Sequence, residues 1–157
     1  MIEAEKKFLK GLCKLCFTKY QIVNNAPMIG ALISQVCKLK DLDVPLVEGI
    51  LYVEARKRKL QYAHCFNTYH GNIIDASIYQ YAIMNKNIKD VFPEIVVGDN
   101  DEGIEYSVFR EIKYENQFKY KREFLEEIMI KADKYEDFQL DKIDEYEDSK
   151  KQNLFYI

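Results

Sequence analysis

The feature of this sequence that most constrains its fold is a pair of strand-like segments on either side of His70-Gly71. The segments Tyr62–Thr68 and Ile73–Ala76 have the short length and the aromatic and β-branched residues that are typical of β-strands. Gly71 supplies the positive φ that a tight hairpin turn requires. The sequence therefore predicts an antiparallel hairpin here, with His70 as an exposed turn residue.

The predicted hairpin brings one histidine and one aspartate together. With the turn centred on His70-Gly71, Phe66 lies opposite Asp75 and His64 lies opposite Ser77. Alternate residues of a strand share a face, so the histidine and the aspartate become diagonal neighbours with backbones about 7–8 Å apart. A carboxylate beside an imidazole fixes its tautomer and stabilises its protonated form. The pair is therefore predicted to carry out acid–base chemistry.

Two amphipathic helices are predicted before the strands. Apolar residues recur at helical spacing over residues 3–20 and again over residues 28–39. The start of the second helix is marked by Pro27, which a helix tolerates in its first turn, and by Asn24 or Asn25 as its cap. Further strands are predicted at residues 46–54, 94–97 and 104–112, the last pairing back across a turn at 98–103, and the chain is predicted to be helical from about residue 115.

These elements predict an α+β domain in which N-terminal helices pack on a small antiparallel sheet and the C-terminus is helical. All 157 residues are predicted to form a single domain. Its core extends to about residue 112, and a charged helical extension covers about residues 113–157. The acidic, tyrosine-rich segment 133–148 is predicted to be either a surface helix or a partner-binding tail.

The composition excludes several classes of protein. The formal net charge is −3 and the pI is near 5.5, so the chain lacks the basic surface expected of a nucleic-acid-binding protein. No apolar run approaches the roughly 20 residues of a membrane-spanning helix. No secretory signal accompanies the four cysteines, so we expect free thiols in a reducing cytoplasm. Neither nucleic acid nor membrane is expected as a partner.

Two local motifs have structural rather than functional interpretations. Cys13 and Cys16 form a C-x-x-C, but they lie mid-helix by pattern, and no second C-x-x-C is present to complete a zinc site. We therefore expect them to pack in the core, and we expect no metal and no cofactor. The basic run Arg56–Lys59 lies between two predicted strands, which favours a solvated turn over a phosphate-binding patch.

Three segments of the chain resemble the core of transglutaminase-like thiol enzymes in the papain-like superfamily. They are Pro45–Gly49, Ala63–Asn67 and Gly71–Ser77. In that family a cysteine at a helix start is followed by a V-x-G strand, an H-x-W strand and a G-x-x-x-D-x-T strand. The resemblance covers about residues 20–80, and Phe66 stands where the family usually has tryptophan. It implies a papain/transglutaminase-like core.

The resemblance also implies a Cys-His-Asp site whose nucleophile position is Ala26. Counting back along the second helix from the V-x-G strand places the family's cysteine at or near this residue. In such a site a thiolate attacks an amide carbonyl, His64 transfers the proton and Asp75 orients His64. A helix N-terminus lowers the pKa of a thiol and can hold an oxyanion. Further oxyanion or substrate contacts are expected from Gln21, Asn24, Asn25 and Phe66.

Alanine has no nucleophilic side chain, and the cysteines of the chain are not expected to replace it. Cys37 is predicted to lie mid-helix, and Cys65 is predicted to point away from the His64 face. Cys13 and Cys16 belong to the preceding helix. Three interpretations are open: an engineered cysteine-to-alanine change, a natural pseudoenzyme, or a coincidental resemblance.

The leading functional hypothesis is thiol-dependent acyl transfer at an amide, by hydrolysis, deamidation or transamidation. Its substrate would be a peptide, a protein or a small amide. The alternative is a natural pseudoenzyme that keeps the cleft as a ligand- or protein-binding module. A third hypothesis is an interaction protein whose partner binds the acidic C-terminal segment.

Overall fold

The structure is a computed structural model that describes residues 1–20, 23–99 and 101–135. Within these residues the chain forms four α-helices, five β-strands and two short 3₁₀ segments. In chain order the elements are α1 (Glu3–Tyr20), α2 (Ala26–Lys38), β1 (Leu46–Ala55), β2 (Arg58–Tyr69), β3 (Asn72–Asp75), α3 (Gln80–Met84), a 3₁₀ segment (Lys86–Val91), β4 (Val96–Gly98), β5 (Ile104–Glu111), a 3₁₀ segment (Tyr114–Asn116) and α4 (Arg122–Asp133).

The five strands form one antiparallel sheet in the order β4-β3-β2-β1-β5. Its two tight turns have the same backbone form. Arg56 and Lys57 join β1 to β2 with φ of 51° and 68°, and His70 and Gly71 join β2 to β3 with φ of 49° and 80°. Two successive positive φ values belong to the hairpin turns that match the twist of the strands. In the basic run predicted to form a turn, only Arg56 and Lys57 do so, because β2 already begins at Arg58.

The predicted register of the second hairpin is confirmed. Thr68 lies opposite Ile73, and Asn67 lies opposite Ile74. The first hairpin places Gly49 opposite His64. β3 is only four residues long and pairs only with the last residues of β2. On this side of the sheet, the part of β2 that contains His64 therefore lies beside the loop and helix that follow β3, and not beside another strand.

Each face of the sheet carries a buried hydrophobic cluster. Neighbouring residues of a strand point to opposite faces, and they divide accordingly: Ile74 and Val97 pack with α1, α2 and α4, whereas Ile73 and Val96 pack with α3 and the first 3₁₀ segment. We call these the helical face and the α3 face. Among their fully buried side chains are Leu9, Leu12 and Ile33 on the helical face and Leu51, Val53 and Ile78 on the α3 face.

The predicted α+β class is confirmed: N-terminal helices, a five-stranded antiparallel sheet and a C-terminal helix are all present. The predicted pairing of residues 104–112 with 94–97 is wrong, because β5 pairs with β1 and lies at the opposite edge from β4. Ile104 is buried in the cluster with Leu51 and Val53, and this burial holds β5 against β1.

The C-terminal helix begins at Arg122, later than predicted. The buried amide of Gln35 donates to the carbonyl oxygen of Phe118 (2.6 Å) and accepts from the backbone N–H of Tyr120 (3.1 Å), so these backbone groups are bonded to α2 and not within a helix. Phe118 is exposed and lies outside α4. The acidic segment beyond Tyr135 lies outside the described residues. In the described part of the chain, no helix is both long enough and apolar enough to cross a membrane.

Candidate active site

A buried hydrogen bond joins His64 to Asp75. Nε2 of His64 lies 2.8 Å from Oδ2 of Asp75, and both side chains are at most 1% exposed. The carboxylate also accepts the backbone N–H of Ser77 (2.8 Å) and the hydroxyl of Tyr106 (2.7 Å). Burial, followed by the charge of Asp75, raises the pKa of Tyr106, so its hydroxyl stays protonated and donates. Three donors therefore hold the carboxylate in place.

The other nitrogen of His64 is in contact with Tyr81. Nδ1 lies 2.9 Å from the Tyr81 hydroxyl, which is also 3.2 Å from the carbonyl oxygen of Ala63. When the imidazole is neutral with its proton on Nε2, the hydroxyl donates to Nδ1. When the imidazole is protonated, Nδ1–H donates to the hydroxyl oxygen, and the hydroxyl proton turns to the Ala63 carbonyl. Rotation of one O–H bond thus satisfies both protonation states.

Aromatic rings surround the imidazole on the α3 face. Phe66 is stacked on it with ring centroids 5.8 Å apart, and Tyr81 meets it edge-on at 5.2 Å. Phe66 in turn packs against Tyr106 at 4.8 Å and is 1% exposed. Phe66 therefore lies in the protein interior. It does not line the cavity at the start of α2, so the substrate contact predicted for it is not formed there.

A cavity of about 420 Å³ opens beside His64 at the start of α2. Ala26 is the first residue of α2 and borders this cavity, as does Pro27 in the first helical turn. The first turn of a helix carries unpaired backbone N–H groups and a positive partial charge. The cavity is lined by Asn24, Ala26, Pro27, Glu48, Gly49, Ile50, Ala63, His64, Cys65, Gln80, Tyr81 and Phe109.

The residues predicted as oxyanion contacts differ in their position relative to the cavity. Asn24 lines the cavity with a left-handed φ of 66°, and its backbone N–H donates to the carboxamide oxygen of Gln80 (2.9 Å). Asn25 occupies the N-cap position of α2 without capping it, and its side-chain amide instead donates to the carbonyl oxygen of Tyr20 (3.5 Å). Gln21 lies outside the described residues. The loop before α2 is thus joined to α3 through the buried Gln80.

Cys65 also borders the cavity, but it does not replace a nucleophile at position 26. It alternates with His64 along β2, so the two side chains leave opposite faces of the strand. Burial raises the pKa of the Cys65 thiol, and the charge of Glu48, its cross-strand partner, raises it further. The thiol therefore stays protonated near neutral pH, where a nucleophile must be a thiolate.

Four residues at or near the site were missed by the sequence analysis: Gln80, Tyr81, Tyr106 and Phe109. The first two lie in α3, which has five residues and is too short to show helical periodicity. The other two lie on a strand that was predicted, but its pairing with β1 was not. The alternating pattern of a strand gives its two faces without giving its partner.

Comparisons with known proteins assign no relatives. The chain matches no family model, no curated protein and no solved structure. Within residues 1–20, 23–99 and 101–135, histidine, cysteine and acidic side chains do not form a group of three or more that could hold a metal ion.

Proposed function

We propose that this chain carries the ligand cleft and the acid–base pair of a transglutaminase-like thiol site for acyl transfer at an amide, in a form whose nucleophile position is Ala26. One observation carries the proposal: Ala26 at the start of α2 and His64, held by Asp75, line the same cavity. A cavity of about 420 Å³ is within the size range of small-molecule sites.

The chemistry follows from a thiol at position 26. The thiol proton passes to Nδ1 of His64, and the thiolate, favoured by the helix N-terminus, forms a bond to the carbonyl carbon. The carbonyl π electrons move to oxygen and return when the C–N bond breaks, and the departing amine takes the proton back from His64. Water or a second amine then attacks the thioester carbonyl and gives a proton to His64; the C–S bond breaks, and the sulfur leaves as a thiolate that takes this proton back. Because the His64 side chain has no exposed surface and contacts Tyr81 through Nδ1, the proton travels through the Tyr81 hydroxyl.

With alanine at position 26 the covalent step has no nucleophile, so the chain holds an amide without cleaving it. A second candidate function is a binding module that never uses acid–base chemistry. Two observations favour it: the His64 side chain is fully buried, and its Nδ1 is already hydrogen-bonded to the Tyr81 hydroxyl.

The deciding experiment introduces a thiol by Ala26→Cys and follows its alkylation by iodoacetamide against pH, with the modified residue identified by peptide mass mapping. The acyl-transfer proposal expects a midpoint well below about 8.5, the pKa of a free thiol. Ala63→Cys is the matched control, since Ala63 lines the same cavity but lies within a strand, far from a helix start. Its thiol is expected to titrate near the ordinary value.

Turnover provides the second readout. The Ala26→Cys protein should release a burst of p-nitrophenol from p-nitrophenyl acetate, and His64→Ala in that background should abolish the burst. Equal alkylation midpoints at positions 26 and 63, with no burst, would reject acyl transfer and leave the binding module as the function.

A further inference from the structure

A β-bulge lies where β5 passes the cavity. Arg110 is opposite Glu48 and Val108 is opposite Gly49, so Phe109 is an extra residue that has no partner on β1. Bulges of this kind re-aim a side chain and are common beside binding sites. Here the bulge takes Phe109 out of the regular alternation, and Phe109 is one of the residues that line the cavity.

Gly49 makes the close approach of the two strands possible. A Cβ atom at this position would lie 1.8 Å from the carbonyl oxygen of Ser107 on β5, far inside van der Waals contact. Only glycine leaves room for the β5 backbone at this point. The backbone of β1 therefore determines where the bulge forms, and the bulge in turn places Phe109 at the cavity.

The cavity wall around Phe109 is apolar and close to neutral. Phe109 is 65% exposed and borders the cavity, so its ring is accessible to a ligand. Ile50 and Pro27 extend the apolar wall. Glu48 is the charged side chain on the described wall, and its carboxylate is ion-paired with Arg110. A ligand that covers Phe109 gains apolar contact and meets little net charge.

We infer that Phe109 recognises an apolar side chain next to the bound carbonyl, so the site takes uncharged, peptide-like amides with an aromatic or large aliphatic side chain. The inference rests on the proposed function only in assigning the cavity as the ligand site. Stacking of an aromatic ligand side chain on Phe109 should strengthen binding about tenfold relative to a ligand that lacks a side chain.

The test uses the chain with Ala26, which binds without reacting. N-acetyl-L-phenylalaninamide and N-acetylglycinamide are titrated while the backbone amides of Gly49, Ala63 and Tyr81 are followed by two-dimensional NMR. We expect both ligands to shift these amides, with the phenylalanine amide binding about tenfold more tightly. Phe109→Ala should remove this preference, so that the two ligands bind with equal affinity.

Phe118→Ala is the matched control, because Phe118 is 53% exposed and is not part of the described cavity wall. It should leave both affinities unchanged. Three results would each overturn the inference: equal affinities in the unmodified chain, equal loss from the two alanine variants, or no cavity shifts with either ligand. Since no covalent step is involved, failure of the Ala26→Cys protein to form an acyl-enzyme would reject the proposed chemistry and leave this result standing.

Discussion

Both faces of the sheet are covered by a buried cluster, yet their ionisable groups have different surroundings. On the helical face Cys13, Cys16 and Cys37 lie in an apolar cluster, where burial raises the pKa of each thiol, that of Cys16 to about 12. On the α3 face His64 and Asp75 are equally buried, but hydrogen bonds match their donors and acceptors. Apolar burial keeps a thiol protonated, whereas a matched polar network supplies hydrogen-bond partners to buried polar groups.

The largest expected effect is the loss of the carboxylate at the centre of the polar network. Asp75→Ala leaves His64, Tyr106 and Ser77 with buried donors and no acceptor, and should lower the free energy of unfolding by about 3–5 kcal/mol. Urea denaturation measures this. Asp99→Ala is the control, since its side chain is 92% exposed and pairs with Lys6; its effect should stay within about 0.5 kcal/mol. A loss for Asp75→Ala as small as the one expected for Asp99→Ala would mean that the network adds nothing to stability.

The helical face offers the converse test, in which a polar group enters an apolar cluster. Cys37→Ser replaces a fully buried thiol by a hydroxyl that needs a hydrogen-bond partner, and should cost about 1–3 kcal/mol in the same denaturation assay. Cys65→Ser, at a half-buried position beside the cavity, should cost less than about 0.5 kcal/mol. If Cys37→Ser lowered the free energy of unfolding as little as Cys65→Ser, the cluster on the helical face would not exclude water.

A smaller and more specific effect is expected at Tyr81. In the Ala26→Cys background, Tyr81→Phe removes the hydroxyl that contacts Nδ1 of His64. Alkylation of the introduced thiol at pH 7 should become about tenfold slower, because the thiolate loses its link to the imidazole, equivalent to about one pKa unit. Tyr62→Phe is the control, since its ring stacks on Tyr81 at 4.3 Å. Faster alkylation after Tyr81→Phe would show that the hydroxyl blocks access to His64 and does not transfer its proton.

Part of the site could be predicted because it depends on local rules. The positive φ at His70 and Gly71 and the alternation of strand residues are enough to set the hairpin register, and the register alone brings His64 beside Asp75. The start of α2 at Ala26 follows from Pro27, whose ring and missing N–H are compatible with the first turn. In both cases the decisive residues lie within a few positions of each other in the sequence.

The residues that complete the site belong to contacts between distant segments, which no local pattern encodes. Tyr106 meets Asp75 only because β5 pairs with β1, and Phe109 reaches the cavity only because Gly49 admits a bulge in that pairing. The sequence by itself determined the two N-terminal helices, the second hairpin and its histidine–aspartate pair, through turn geometry and periodicity. The order of the strands, the placement of α3 and the shape of the cavity were decided by tertiary packing, because burial selects among pairings that the strand patterns leave equally open.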